Sequence, residues 1–226
     1  MVIHSIIVAA GSGSRFGGPV PKQFMSLKGI PVAMHAIMAI RSSIPDATDT
    51  IVLSESEIGR WKMLCDKHGF RSPDIVVGGA TRFDSVKNAL AYVPNGTDVI
   101  LVHDGARPFP PRDMVERIKD AFDDSTVQGV IPAIPVTDSI RRLCDDGTSY
   151  AVDRSVYRAV QTPQAFKSDL LVKAYSDAPS SQGFTDDASV MEAAGFTRLI
   201  LVDGSPKNIK ITNPGDIATA CAVLQQ

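Results

Sequence analysis

The feature that most constrains this chain is a series of short, continuously apolar segments, each followed by a stretch with helical spacing. Residues 2–9 read as a buried strand and 31–41 (PVAMHAIMAIR) as a helix. The pattern repeats with strand 50–54 and helix 57–68, strand 74–77 and helix 82–92, strand 98–103 (DVILVH) and helix 111–123, then strand 129–134. A strand that is apolar at successive positions is buried on both faces, and intervening helices supply the crossovers that parallel strands need. Helices at 168–176 and 186–194, a strand at 197–202 and a helix at 214–224 complete the chain. The expected fold class is therefore α/β, a Rossmann-like three-layer sandwich with a mainly parallel central sheet. No internal repeat, low-complexity tract or linker interrupts it, so residues 1–226 are expected to form a single domain.

Residues 136–158 break the rhythm. Residues 137–142 could form one strand, Asp145-Asp146-Gly147 a turn, and residues 150–154 a returning strand. Such a hairpin has no place inside a parallel sheet. It is expected to project as a β-hairpin arm and to pair with a partner subunit.

Composition excludes several function classes. A formal net charge of −2 argues against a general nucleic-acid or membrane-surface binder, while permitting a local basic pocket. There is no charged segment ahead of the first apolar run and no apolar stretch of about 18 residues, so neither a secretory signal nor a spanning helix is expected. Cys65, Cys144 and Cys221 lack metal-ligand spacing, as do His4, His35, His68 and His103. Reduced thiols in a cytoplasmic protein without a zinc site are the expectation.

The first strand runs into IVAAGSGSRFGGPVPKQF, residues 7–24. Gly11 and Gly13 allow a tight turn whose N–H groups can cradle phosphate oxygens, and a loop leaving the carboxyl end of a parallel strand is where α/β sheets bind ligands. The pattern is neither a P-loop, which needs Gly-Lys-Ser/Thr at its end, nor the Gly-x-Gly-x-x-Gly fingerprint, which fits only with an extra residue and is followed by Pro19 and Pro21 instead of a helix. What remains is Gly-x-Gly-x-Arg and then Pro-Lys-Gln. Arg15 and Lys22 are either solvated surface cations or a pair converging on a polyphosphate, where fixed charge favours a transition state that spreads negative charge over a transferring phosphoryl group.

Further stretches decide between these. AAGSGSRFGGPVPKQF (9–24), GGATRFDSV (78–86), VHDGARPF (102–109), PVTDSI (135–140), VDRSVYRAVQTPQAF (152–166), TDDAS (185–189) and NIKIT (208–212) occur in this order. In them the chain resembles the 2-C-methyl-D-erythritol 4-phosphate cytidylyltransferase family, over nearly its whole length. The resemblance implies direct in-line attack of the sugar phosphate on the α-phosphate of CTP, with pyrophosphate released and no covalent enzyme intermediate. Arg15 and Lys22 match the transition-state stabilisers. Ala9, Ala10 and Gly11 match backbone that contacts the nucleotide, with Gly13 in the same loop, and Gly79 and Ser85 match positions beside the cytosine. Asp104 and Arg107 match groups facing the ribose and the acceptor, with Gly105 standing where the family usually has alanine. Ser139 stands where threonine is commoner and keeps the hydroxyl. Thr162 is a further candidate ligand, or a loop threonine capping the next helix. Arg154 and Lys210 match the cations that hold the acceptor phosphate. Arg154 could otherwise punctuate the hairpin, and Lys210 could simply face out of an alternating segment. Thr185-Asp186-Asp187 reads better as a helix cap than as chemistry.

The resemblance also implies Mg²⁺ bound mainly through the CTP phosphates, with no side-chain metal ligand assigned, and a homodimer in which the arm carries Arg154 into the neighbouring site. Ribitol 5-phosphate is the rival acceptor, and a non-catalytic nucleotide-binding module the rival class.

Overall fold

The computed structural model describes residues 1–11, 20–179 and 183–225. Its centre is an eight-stranded sheet. Strands β1 (Ile3–Val8), β4 (Thr48–Leu53), β5 (Asp74–Val77) and β6 (Val99–Asp104) are parallel neighbours in the order β5-β4-β1-β6. On the far side β7 (Gly129–Pro135) pairs in parallel with β12 (Leu199–Asp203). A short hairpin of β2 (Ser26–Leu27) and β3 (Ile30–Pro31) lies outside the sheet.

The apolar strands bury both faces, as their sequences require. In β1, Ile3 and Ile7 enter one core cluster while Ile6 enters the other. In β6, Val99 and Leu101 face the first cluster, Ile100 and Val102 the second. Helices α1 (Val32–Ser43), α2 (Ile58–His68) and α4 (Arg112–Asp120) cover the first face through Met34, Trp61 and Met114. The opposite face is covered by α3 (Arg82–Leu90), α5 (Ser168–Asp177) and α6 (Asp187–Ala193) through Phe83, Tyr175 and Met191. Each fully buried large apolar side chain contributes about 1.5–3 kcal/mol. The last helix, α7 (Asp216–Val223), closes a small third cluster in which Ala220 and Ile211 pack on Leu27 and Val32. None of the described helices is long and apolar enough to cross a membrane.

The structure adds one feature and corrects one expectation. The stretch between the arm and α5, to which no element was assigned, is not a loop. It forms β10 (Arg158–Val160) and β11 (Gln164–Lys167), both antiparallel to β7, and β11 also fills the gap between β6 and β7. Segments of three and four residues interrupted by Pro163 are too short to show a strand period in sequence. The arm itself is shorter than expected, with β8 (Arg141–Leu143) facing β9 (Ser149–Ala151). One further bond, from the Val152 N–H to the Ile140 carbonyl at 3.1 Å, extends the pairing. Residues 137–139 and 153–154 lie outside it, and Arg154 begins a single 3₁₀ turn capped by the Asp153 carboxylate. The turn falls where expected, with Gly147 at φ +83° and the Asp146 carboxylate accepting from the Thr148 N–H and hydroxyl.

Candidate active site

Strand order reverses beside β1, with β4 and β5 on one side and β6 on the other, and the crevice at the carboxyl ends of these strands is where such sheets bind ligands. A cleft of about 380 Å³ opens there. Its floor is the end of β1 (Ala9, Ala10, Gly11), one wall is the β5–α3 turn with Gly79 and Ser85, and Lys22, Asp104 and Lys210 complete it. A smaller recess of about 90 Å³ adjoins it, lined by Arg107, Thr162 and the start of α6. The two share Arg82, Asp104 and Lys210, which form the partition between them.

Local chemistry explains the placement of each part. Gln23, almost wholly buried, donates through its carboxamide to the Ala9 carbonyl at 2.7 Å and the Gly11 carbonyl at 3.1 Å. That bond fixes the neighbouring half-buried Lys22 against the end of β1. The Gly79 N–H donates to the Ser85 hydroxyl at 3.1 Å, leaving that hydroxyl's own proton for a ligand. Glycine is required at 79, because a Cβ there would lie 2.3 Å from the Asp84 Cβ. The Thr81–Asp84 capping box starts α3 and sets Arg82 in its first turn.

Asp104 ends β6 among three cations. Lys210 Nζ is 2.8 Å from Oδ2, Arg107 Nε 3.7 Å from the same oxygen, and Arg82 Nε 3.6 Å from Oδ1. Burial alone would raise the carboxyl's pKa, but the charges of Arg82, Lys210 and Arg107 outweigh it and hold the pKa far below the ordinary range. Asp104 is a permanent anion. Lys210 is brought to it by its neighbours: Ile211 is fully buried, and its N–H donates to the Ala106 carbonyl at 2.8 Å.

Behind Asp104 lies a buried relay. The Asp104 N–H donates to the Thr162 hydroxyl at 3.0 Å, and that hydroxyl is 3.2 Å from His103 Nδ1. His103 Nε2 is 2.9 Å from the Arg107 carbonyl, which can only accept, so Nε2 carries the proton and Thr162 donates to Nδ1. Burial is the main influence on the imidazole, and its pKa falls to about 4, which keeps it neutral.

Arg82 is clamped from the other side. Its Nη1 and Nη2 donate to the two oxygens of Asp187 at 2.9 and 2.7 Å, and the Tyr175 hydroxyl donates to Asp187 Oδ1 at 2.6 Å. Burial and the Asp187 charge raise the phenol's pKa well above its usual value, so it remains a donor. Removing one partner of such a buried pair costs about 3–5 kcal/mol.

The structure thus brings together Ala9, Ala10, Gly11, Lys22, Gly79, Ser85, Asp104 and Lys210 in the cleft, with Arg107 and Thr162 in the recess. Thr162 does not cap a helix; its hydroxyl is committed to Asp104 and His103. Gly105 sits behind the floor, its N–H donating to the Val8 carbonyl at 2.9 Å. Ser139 and Arg154 are exposed on the arm and line neither space, and the Arg154 guanidinium donates to the Thr137 carbonyl. Arg15 and Gly13 lie outside the described residues. Asp186 is the N-cap of α6, as expected, in a capping box with Ser189. Gln23 and Arg82 carry no expected role, the expectation for His103 is only that it lacks metal-ligand spacing, and Asp187, expected as part of a helix cap, opens α6 and also holds Arg82. Arg82 and Asp187 each stand inside a recognisable motif, but nothing in sequence pairs residues 105 positions apart.

Comparison with known proteins identifies the family and the fold. The family described as IspD, 2-C-methyl-D-erythritol 4-phosphate cytidylyltransferase, matches residues 3–226. The chain is similar to the 2-C-methyl-D-erythritol 4-phosphate cytidylyltransferase of Bacteroides fragilis, 42% identical over 222 residues that cover 97% of this chain and 98% of the relative. In structure it is similar to the 4-diphosphocytidyl-2C-methyl-D-erythritol synthase of Anaerococcus prevotii, with TM-score 0.84 and 26% identity over 100% of this chain and 96% of that one. It is likewise similar to the 2-C-methyl-D-erythritol 4-phosphate cytidylyltransferase of Thermus thermophilus, with TM-score 0.78 and 30% identity over the whole of both chains. A family match across almost the entire sequence, joined to this crevice of fixed cations at the switch point of the sheet, places the chain in the 2-C-methyl-D-erythritol 4-phosphate cytidylyltransferase family.

Proposed function

We propose that the chain transfers the cytidylyl group of CTP to 2-C-methyl-D-erythritol 4-phosphate by direct displacement, with the cleft taking the nucleotide and the recess the acceptor. An acceptor phosphate oxygen forms a bond to the α-phosphorus, the bond to the bridging oxygen breaks, and pyrophosphate leaves with the electron pair. The product is 4-diphosphocytidyl-2-C-methyl-D-erythritol, an isoprenoid precursor. The observation that carries this reading is the partition of Arg82, Asp104 and Lys210 between two adjoining spaces, one edged by Lys22 and the other by Arg107.

The roles follow from position. Ala9, Ala10 and Gly11 offer backbone to the nucleotide, Gly79 lets the base approach the turn closely, and Ser85 offers its hydroxyl proton to the base edge. Asp104, held ionised, accepts from hydroxyls at the partition. Lys22 meets the charge that develops on the α-phosphate and the departing pyrophosphate, where preorganised cations are most effective, and the family resemblance assigns Arg15, outside the described residues, the same role. Lys210 and Arg107 hold the acceptor. Arg154 and Ser139 stand apart from their own cleft on an arm whose Leu143, Tyr150, Val156 and Tyr157 are exposed, which supports a twofold dimer in which each arm serves the neighbouring site.

Among the described residues no group of three or more His, Cys, Asp or Glu side chains could hold a metal, and the Asp104 carboxylate faces Lys210, Arg107 and Arg82, so Mg²⁺ would be held mainly by the CTP phosphates. When bound, the ion neutralises charge across the triphosphate oxygens.

A pyrophosphate-release assay with CTP tests the reading. Methylerythritol phosphate should support turnover and ribitol 5-phosphate should not. Lys22→Ala should lose about 10²–10³ in kcat while keeping its fold. Preference for ribitol 5-phosphate, or near-normal kcat in the variant, would refute the acceptor or the Lys22 role respectively.

A further inference from the structure

Lys210 is claimed by two anions, the Asp104 carboxylate on which it rests and the acceptor phosphate it is proposed to hold. Its ammonium, which borders both spaces, lies on Asp104 Oδ2 at 2.8 Å, and to give its full charge to an acceptor phosphate it must give up that carboxylate. Its side chain is 40% exposed and flexible, so it can turn. The carboxylate it leaves is 11% exposed and needs another counter-charge that stays.

Among the described residues two other cations are paired with Asp104. Arg107 faces Oδ2, the oxygen Lys210 uses, and one of its Nη groups is spent on the Asn208 carbonyl at 2.8 Å. Arg82 faces the other oxygen, Oδ1. It also cannot follow a ligand, because both Nη groups are locked on Asp187, which is fully buried and holds the Tyr175 hydroxyl as a third bond. The clamp joins the first turn of α3 to that of α6, two helices of one layer.

We propose that Arg82 is a positioning residue for the transfer reaction, the fixed counter-charge that keeps Asp104 in place while Lys210 moves from that carboxylate to the acceptor phosphate. Asp187 and Tyr175 serve the reaction by immobilising Arg82. The inference rests on the reading that Lys210 holds the acceptor. Without Arg82, Lys210 is retained by Asp104 and the acceptor pays for its release.

A double-mutant cycle tests this. Arg82→Gln should raise the KM for methylerythritol phosphate by about tenfold or more, with CTP affinity measured by calorimetry changed less than about threefold. Lys210→Ala should itself raise that KM. In the Lys210→Ala background, Arg82→Gln should add almost nothing, because no lysine is left to release. If Arg82→Gln does not fold, Arg82→Lys replaces it in the same cycle, since one ammonium cannot bridge Asp187 and Asp104 as the guanidinium does. Additive effects on KM, or equal loss of CTP affinity, would overturn the role of Arg82. Lys210→Ala with an unchanged acceptor KM would instead overturn the reading of Lys210 beneath it.

Discussion

Replacing His103 with glutamine should flatten the acid side of the stability profile. Burial lowers the His103 pKa from 6.5 to about 4 in the folded chain. Between those values the unfolded chain binds a proton that the folded chain refuses, so stability is complete above about pH 6.5 and is lost as pH falls towards 4. With one pKa unit worth about 1.4 kcal/mol, the loss from pH 7 to pH 4.5 comes to roughly 2.4 kcal/mol from this group alone. In His103→Gln the side-chain N–H can still reach the Arg107 carbonyl, and nothing titrates. Urea unfolding at pH 7, 6, 5 and 4.5 measures both proteins. The curves should converge on acidification by roughly that amount, whatever offset separates them at pH 7. Parallel curves would refute the buried, neutral imidazole and with it the proton assignment of the Asp104–Thr162–His103 relay.

Two further outcomes are expected. Arg154→Ala and Lys22→Ala subunits, each nearly inactive, should recover about a quarter of wild-type activity when mixed and refolded, since about half the dimers are mixed and one of two sites is then complete; mixtures that stay inactive despite proven exchange would put Arg154 in its own subunit's site. Gly129→Ala should lower stability by about 1–3 kcal/mol, because the new Cβ would lie 2.5 Å from Phe166 Cδ1 and 2.8 Å from Leu199 Cδ2, whereas Gly105→Ala meets nothing closer than the Ala9 Cβ at 3.0 Å and should cost less than about 1 kcal/mol by thermal unfolding.

The sheet was legible because its strands carry their burial in every residue. Ile6 and Ile7 face opposite layers, so strand and layers are read from one short string. The β10–β11 crossing was not legible, because its stability lies in ladders to β6 and β7 supplied by distant chain. The same divide runs through the site. Lys22, Asp104 and Lys210 stand in motifs whose residue types suit phosphate chemistry, and the fold brings them to one cleft. Arg82 and Asp187 stand in motifs too, but their meaning is the bond between them, and a bond between helices has no local signature. His103 resembles any histidine in an apolar strand until Thr162 and the Arg107 carbonyl close around it.

The segment that follows the arm is bonded to the end of β6. The Asp104 amide donates to the hydroxyl of Thr162, which sits where the chain passes from β10 to β11. That chain leads straight back through Arg158 to the arm. The exchange of this single amide hydrogen with solvent is consequently a gauge of local opening in the 158–167 segment. Whatever holds the arm still should lengthen the lifetime of that hydrogen, so the proposed subunit contact would be measurable at the Asp104 amide without any turnover.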